Sequence, residues 1–239
     1  MREKIFRFKQ FAVRNDRSAM KVGTDGVLLG AWCNVAHASS VLDVGTGTGL
    51  IALMVAQRNA TAKIDAVEID AVACEEARHN FEASPWALRL AVTHYDFLQY
   101  AAVCGKKYDL IVSNPPYFTE DTTSVDLRRA TARHTSVALT YEALIRAAVT
   151  LLTAQGRLCI IGPVERDAEI RSVAQECGLV VARRLEVRPK PGAPVKRTLW
   201  ELSSTATETL EEELTIETDV HNDYTPQYVA LTRDFYLKM

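Results

Sequence analysis

The chain has 239 residues, 48% of them apolar, enough for one large domain with a buried core, which excludes a disordered chain. Its formal net charge of -2 announces no nucleic-acid partner, so the placement of charge along the chain must carry that question. Cys33, Cys74, Cys104, Cys159 and Cys177 stand far apart, without a C-x-x-C pair or a histidine at ligand spacing, and read as reduced packing residues rather than a metal centre. No apolar run approaches the roughly 20 residues of a membrane span, and the start MREKIFRFKQF lacks the apolar stretch of a signal peptide. A cytoplasmic protein with neither membrane nor metal is expected.

Residues 1–21 carry Arg2, Lys4, Arg7, Lys9, Arg14, Arg17 and Lys21 against Glu3 and Asp16, seven positive and two negative, or +5. From about residue 24, strand-like and helix-like segments alternate. A strand is predicted over 40–44, a helix over 50–57, a strand over 62–69, a helix over 71–81, and strands over 88–93 and 108–113. A polar stretch over 118–137, with few apolar anchors, reads as a lid. Beyond it the pattern predicts a helix over 141–152, a buried strand over 156–161 and a helix over 165–177. Segments 179–188 and 196–203 flank a Pro-Gly-Ala-Pro turn and predict an antiparallel hairpin at the sheet's edge. Two more basic patches lie at 128–134, with Arg128, Arg129, Arg133 and His134, and at 183–197; acid collects at 208–223. Strands alternating with helices at this interval imply an α/β fold, a doubly wound, mostly parallel sheet with a terminal antiparallel hairpin strand.

Two motifs lie where such a sheet presents ligands. In Val41-Leu42-Asp43-Val44-Gly45-Thr46-Gly47-Thr48-Gly49-Leu50 a strand ends, turns on glycines and opens a helix, which lets backbone approach a ligand at a helix N-terminus. A dinucleotide fingerprint would need glycine or alanine at position 50, where this chain has Leu50. Glu68 closes the next strand, where a carboxylate can accept from both hydroxyls of a ribose, and Asp70 reads as a helix N-cap. The second motif, Asn114-Pro115-Pro116-Tyr117, follows a buried strand and should face the same crevice. An exocyclic amino group is a poor nucleophile because its lone pair is conjugated into the ring. The Asn114 side-chain oxygen and the Pro115 carbonyl can accept its two N–H bonds, and Tyr117 can stack on the plane. These residues leave the acceptor open among adenine N6, guanine N2 and a glutamine amide.

The elements resemble the class I methyltransferases, a Rossmann-like fold, over nearly the whole chain. The glycine loop with Asp43 two residues ahead of it resembles the first motif of S-adenosylmethionine-binding enzymes. That likeness implies S-adenosyl-L-methionine as cofactor, with Asp43, Gly45, Gly47, Gly49, Glu68 and Asn114 around it and Asp96 at the adenine amino group. Phe8-Lys9-Gln10-Phe11, then Met20-Lys21-Val22-Gly23-Thr24-Asp25-Gly26 and Val27-Leu28-Leu29-Gly30-Ala31-Trp32, and Ala132-Arg133-His134 after the acceptor loop, are similar to the bacterial tRNA1(Val) (adenine(37)-N6)-methyltransferases. The resemblance implies N6-methylation of adenine 37 in the anticodon loop of a valine tRNA, the base turned out into the pocket. It further implies Lys21 and Thr24 at the cofactor, and Arg14, Arg128, Arg129, Arg133 and His134 on RNA phosphates. One domain is expected over 1–239, with 1–35 a basic extension and cofactor lid and 36–239 the core. A glutamine methyltransferase would carry a helical domain ahead of the glycine loop, where this chain has about forty residues. A guanine-N2 enzyme of rRNA would often carry a further domain.

Overall fold

The computed structural model describes residues 5–18, 21–116, 139–205 and 208–239. Strands β3 (Ser40–Val44), β4 (Lys63–Glu68), β5 (Leu90–His94), β6 (Tyr108–Ser113), β7 (Leu152–Gly162), β8 (Val180–Arg188), β9 (Arg197–Ser203) and β10 (Leu210–Thr215) form one sheet in the order β10-β8-β9-β7-β6-β3-β4-β5. Helices α1 (Thr24–Trp32), α2 (Leu50–Arg58), α3 (Ala71–Glu82), α4 (Phe97–Val103), α5 (Tyr141–Val149), α6 (Asp167–Glu176) and α7 (Pro226–Thr232) accompany it. Two apolar cores result. One gathers Leu28, Leu53, Met54, Phe81 and Tyr228; the other gathers Phe97, Leu144, Ile145, Ile170 and Trp200. Central strands therefore read as continuous apolar runs, because both of their faces are covered.

The doubly wound architecture matches the sequence pattern, but the hairpin sits differently from its expected place. β8 and β9 do pair antiparallel, yet β9 lies between β8 and β7, and the outermost strand is β10, which runs parallel to β8. Glu211-Glu212-Glu213 forms a strand because the neighbouring strand supplies cations: Arg184 meets Glu211 at 3.0 Å and Arg183 meets Glu212 at 3.0 Å. Arg184 also reaches Asp167 at 2.8 Å and Glu186 at 2.9 Å. Trp32 completes this cluster, donating from Nε1 to Glu212 while the Arg183 guanidinium lies 4.5 Å over its ring. Much of the basic patch at 183–197 and the acid at 208–217 thus neutralise one another.

Ahead of the sheet, β1 (Ile5–Arg7) and β2 (Ala12–Arg14) make a separate antiparallel hairpin. Phe8 stacks on Phe11 at 4.6 Å and on Tyr236 at 5.8 Å, fixing this arm to the carboxyl-terminal segment. α1 rests closely on α2, and a Cβ at Gly30 would stand 2.7 Å from the Met54 sulfur and 3.0 Å from its Cβ, so a side chain there would force Met54 to shift. Among the described residues, no helix is long and apolar enough to cross a membrane, and no group of His, Cys, Asp and Glu could hold a metal. The five cysteines are unpaired, with Cys33, Cys74 and Cys159 buried.

Candidate active site

Strand register brings the two motifs together. Val44 pairs with Val67 on one side and with Ser113 on the other. The next residues, Gly45, Glu68 and Asn114, therefore start side by side at the carboxyl edge, across three strands spaced about 4.8 Å apart. Ser113, fully buried, donates from Oγ to the Val44 carbonyl at 2.9 Å and ties the base of the Asn114 loop to the strand that leads into the glycine turn.

The glycine loop is shaped from beneath. Asp43 is completely buried; its Oδ2 accepts from Thr46 Oγ1 at 2.6 Å and from Ala52 N at 3.0 Å, linking loop and α2. Burial raises its pKa to about 7, against the two hydrogen bonds that favour the carboxylate, and Oδ1 finds no partner among the described residues. Gly45, Gly47 and Gly49 all have positive φ, and at Gly45 and Gly47 a Cβ would meet nothing within 4 Å among the described residues, so there is room beside these two positions. At Gly49 a Cβ would stand 2.4 Å from Phe81 Cε1, so α3 presses directly on this turn.

Glu68 Oε2 accepts from Gly47 N at 2.8 Å and Oε1 from Asp70 N at 2.9 Å. Burial raises its pKa, and these amides oppose the rise. Asp70 caps α3 through Ala73 N, as its sequence position suggested. Asp96 caps α4, its Oδ1 accepting from Gln99 N at 3.0 Å. Around these acids, Ile69 and Tyr95 just beyond β4 and β5, and Val72 and Leu98 in the first turns of α3 and α4, are between 37% and 42% exposed. Exposed apolar groups flanking a carboxylate, beside a loop with room at Gly45 and Gly47, suit a nucleoside: plane against plane, hydroxyls on the acid.

The remaining expected residues are less concentrated. Pro115 is buried and Pro116 exposed. Lys21 turns its ammonium into its own arm, onto the Asn15 and Ser18 carbonyls at 3.0 and 2.9 Å, and Thr24 opens α1 on the surface. Arg14 pairs with Asp16 at 3.0 Å. Tyr117, Arg128, Arg129, Arg133, His134 and the stretch 118–137 lie outside the described residues. Glu76 and Asn80 were not foreseen: both are 2% exposed on the inner face of α3 and hold the backbone of residues 14–18. Their only trace in the sequence is a pair of polar residues one turn apart within an otherwise apolar stripe.

Residues 18–177 match the methyltransferase small domain family. The chain is 49% identical over 98% of its length, and 98% of the relative's, to the tRNA1(Val) (adenine(37)-N6)-methyltransferase of Trichodesmium erythraeum. It is 45% identical over the full length of both chains to the protein of the same name from Bacteroides fragilis. Among solved structures, a predicted O-methyltransferase from Agrobacterium tumefaciens superimposes with a TM-score of 0.67 at 20% identity, covering 88% of this chain and 96% of that one, a likeness of fold.

Proposed function

Since the chain belongs to the tRNA1(Val) (adenine(37)-N6)-methyltransferase family, we propose that it transfers a methyl group from S-adenosyl-L-methionine to N6 of adenine 37 in the anticodon loop of a valine tRNA. The observation that carries this reading is the row Asn114, Gly45, Glu68 along adjacent strand ends, in a chain matched end to end by enzymes of that name. When bound, the cofactor supplies a methyl group on a cationic sulfonium, an electrophile that needs no strong base opposite it.

The chain's own residues hold and align. The amides of the glycine loop, with Asp43 bracing it from below, receive the cofactor, and Glu68 accepts from the ribose hydroxyls, each of its oxygens having room for a second hydrogen bond. Asp96 Oδ2 accepts from the ring amino group while Oδ1 keeps its cap, and Ile69, Val72, Tyr95 and Leu98 cover the ring. Asn114 and the Pro115 carbonyl accept the two N–H bonds of the target adenine, so that its lone pair points at the methyl carbon, and Tyr117 stacks on the base. Residues 1–35 form the lid of a single catalytic domain, with Lys21 and Thr24 at the cofactor's rim. Arg14, Arg128, Arg129, Arg133 and His134 contact phosphates, positioning the loop without reading its sequence. The enzyme works in the cytoplasm, where tRNA is modified.

Incubation with labelled S-adenosylmethionine and unmodified total tRNA, followed by nucleoside analysis, tests the reading. N6-methyladenosine in a valine tRNA is expected; label in guanine or in protein would overturn it.

A further inference from the structure

α3 underlies both the basic arm and the cofactor loop. Asn80 donates from Nδ2 to the Thr48 carbonyl in the glycine loop at 2.9 Å and to the Arg14 carbonyl in the arm at 3.0 Å, while its Oδ1 accepts from Arg14 N at 2.8 Å. One turn earlier, the Glu76 carboxylate accepts three successive arm amides: Asp16 N at 2.9 Å and Arg17 N at 2.8 Å on Oε1, and Ser18 N at 2.9 Å on Oε2. Lys21 closes the turn from the far side through the Asn15 and Ser18 carbonyls. Phe81, the residue after Asn80, is the side chain pressed against Gly49.

These contacts are of the kind that work together or not at all. Glu76 and Asn80 are buried with the arm in place, so an arm that lifts away takes three donors from the carboxylate and two partners from the amide together. Asn80 spends its single side chain on both segments, so a shift of Thr48 is felt at Arg14. Arm and loop therefore share one rigid base.

We infer that Glu76 and Asn80 are positioning residues that couple the cofactor loop to the basic arm, so that filling the loop steadies residues 14–18 and raises affinity for the RNA backbone. This rests on the reading of the loop as the S-adenosylmethionine site and of the arm as a tRNA contact. Such coupling between two sites is reciprocal and commonly amounts to about 5-fold or more in affinity.

The test uses the full chain with S-adenosylhomocysteine and an unmodified valine tRNA transcript. Backbone amide exchange at Asp16, Arg17 and Ser18 should slow about tenfold or more when S-adenosylhomocysteine saturates the wild type. The same addition should lower the tRNA Kd about 5-fold or more. In Asn80→Ala, and in the similarly sized Asn80→Leu, S-adenosylhomocysteine should still bind by calorimetry yet no longer change either quantity. Exchange at residues 16–18 that ignores S-adenosylhomocysteine in the wild type overturns the coupling, as does protection that persists in both variants. Because the exchange measurement involves no RNA, protection without any tRNA affinity would overturn the tRNA reading and support the coupling.

Discussion

Asn114 stands one residue beyond Ser113, whose hydroxyl is committed to Val44, so the start of its loop is tied to the strand that leads into the glycine turn. Asn114→Ala should lower kcat about 100- to 1000-fold, the usual cost of one preorganised contact to the reacting group, with S-adenosylmethionine affinity changed by less than about twofold. Single-turnover kinetics beside calorimetry would separate the two, and undiminished turnover would remove Asn114 from the mechanism. Asp43 makes a different prediction. Burial lifts its pKa from 3.8 to about 7, so the folded state favours the protonated form. The stability this lends is complete below about pH 4 and fades as pH rises toward 7. Melting curves of wild type and Asp43→Asn from pH 4 to 8 should show the wild type losing ground to the variant across that window. Parallel curves would mean that Asp43 does not titrate there. The places of Asp43, Glu68 and Asn114 at neighbouring strand ends were legible in the sequence, Asp43 and Asn114 from the glycine and proline motifs and Glu68 from the end of the following strand. Glu76 and Asn80 were not, since what they bind is backbone some sixty residues earlier, and backbone amides carry no sequence signature.

At the scale of elements, the central strands and helices were readable because burial on both faces writes itself as an apolar run. Strands 40–44 and 108–113 fall on the predicted residues, and α3 runs one residue further. What escaped depends on neighbours distant in sequence. α1 carries two glycines that speak against a helix until their fit against α2 is seen. β10 carries three successive glutamates that read as a solvated run until Arg183 and Arg184 are laid beside them. That ladder predicts how the two basic regions differ. Arg184 has a side chain only 12% exposed between Asp167, Glu186 and Glu211; Arg184→Met should cost about 2–3 kcal/mol and lower the Tm by about 5 °C or more. Arg183→Gln and Arg184→Met should leave the salt dependence of tRNA binding unchanged. Replacing Arg7 and Arg17 in the arm by Gln should flatten that slope by about 0.7–0.9 for each phosphate that is no longer neutralised. A flatter slope in the ladder variants would return that patch to the RNA surface.

Across the whole molecule, a net charge of -2 conceals a division of labour. Cations at one end of the sheet are consumed by the strand beside them, while those of the amino-terminal arm stand on a hairpin fixed to the carboxyl-terminal segment and to α3. Deleting residues 1–18 would therefore remove basic charge and strip Glu76 of its donors at once, which is why single substitutions in the arm are the cleaner probe. The outermost place of β10 has a further consequence, for how copies of the protein behave in company. An open strand edge is a template on which a second chain can continue the sheet, and here that edge carries Glu211 and Glu213, both exposed, so that two such edges repel. Glu213→Thr, which gives up only a 4.0 Å approach to Arg188, should leave the Tm nearly unchanged yet make light scattering at high protein concentration rise with time. Scattering that stays flat would show that the edge needs no such guard. The acid that disarms one basic patch would then also be what keeps neighbouring molecules from joining sheet to sheet in a crowded cell.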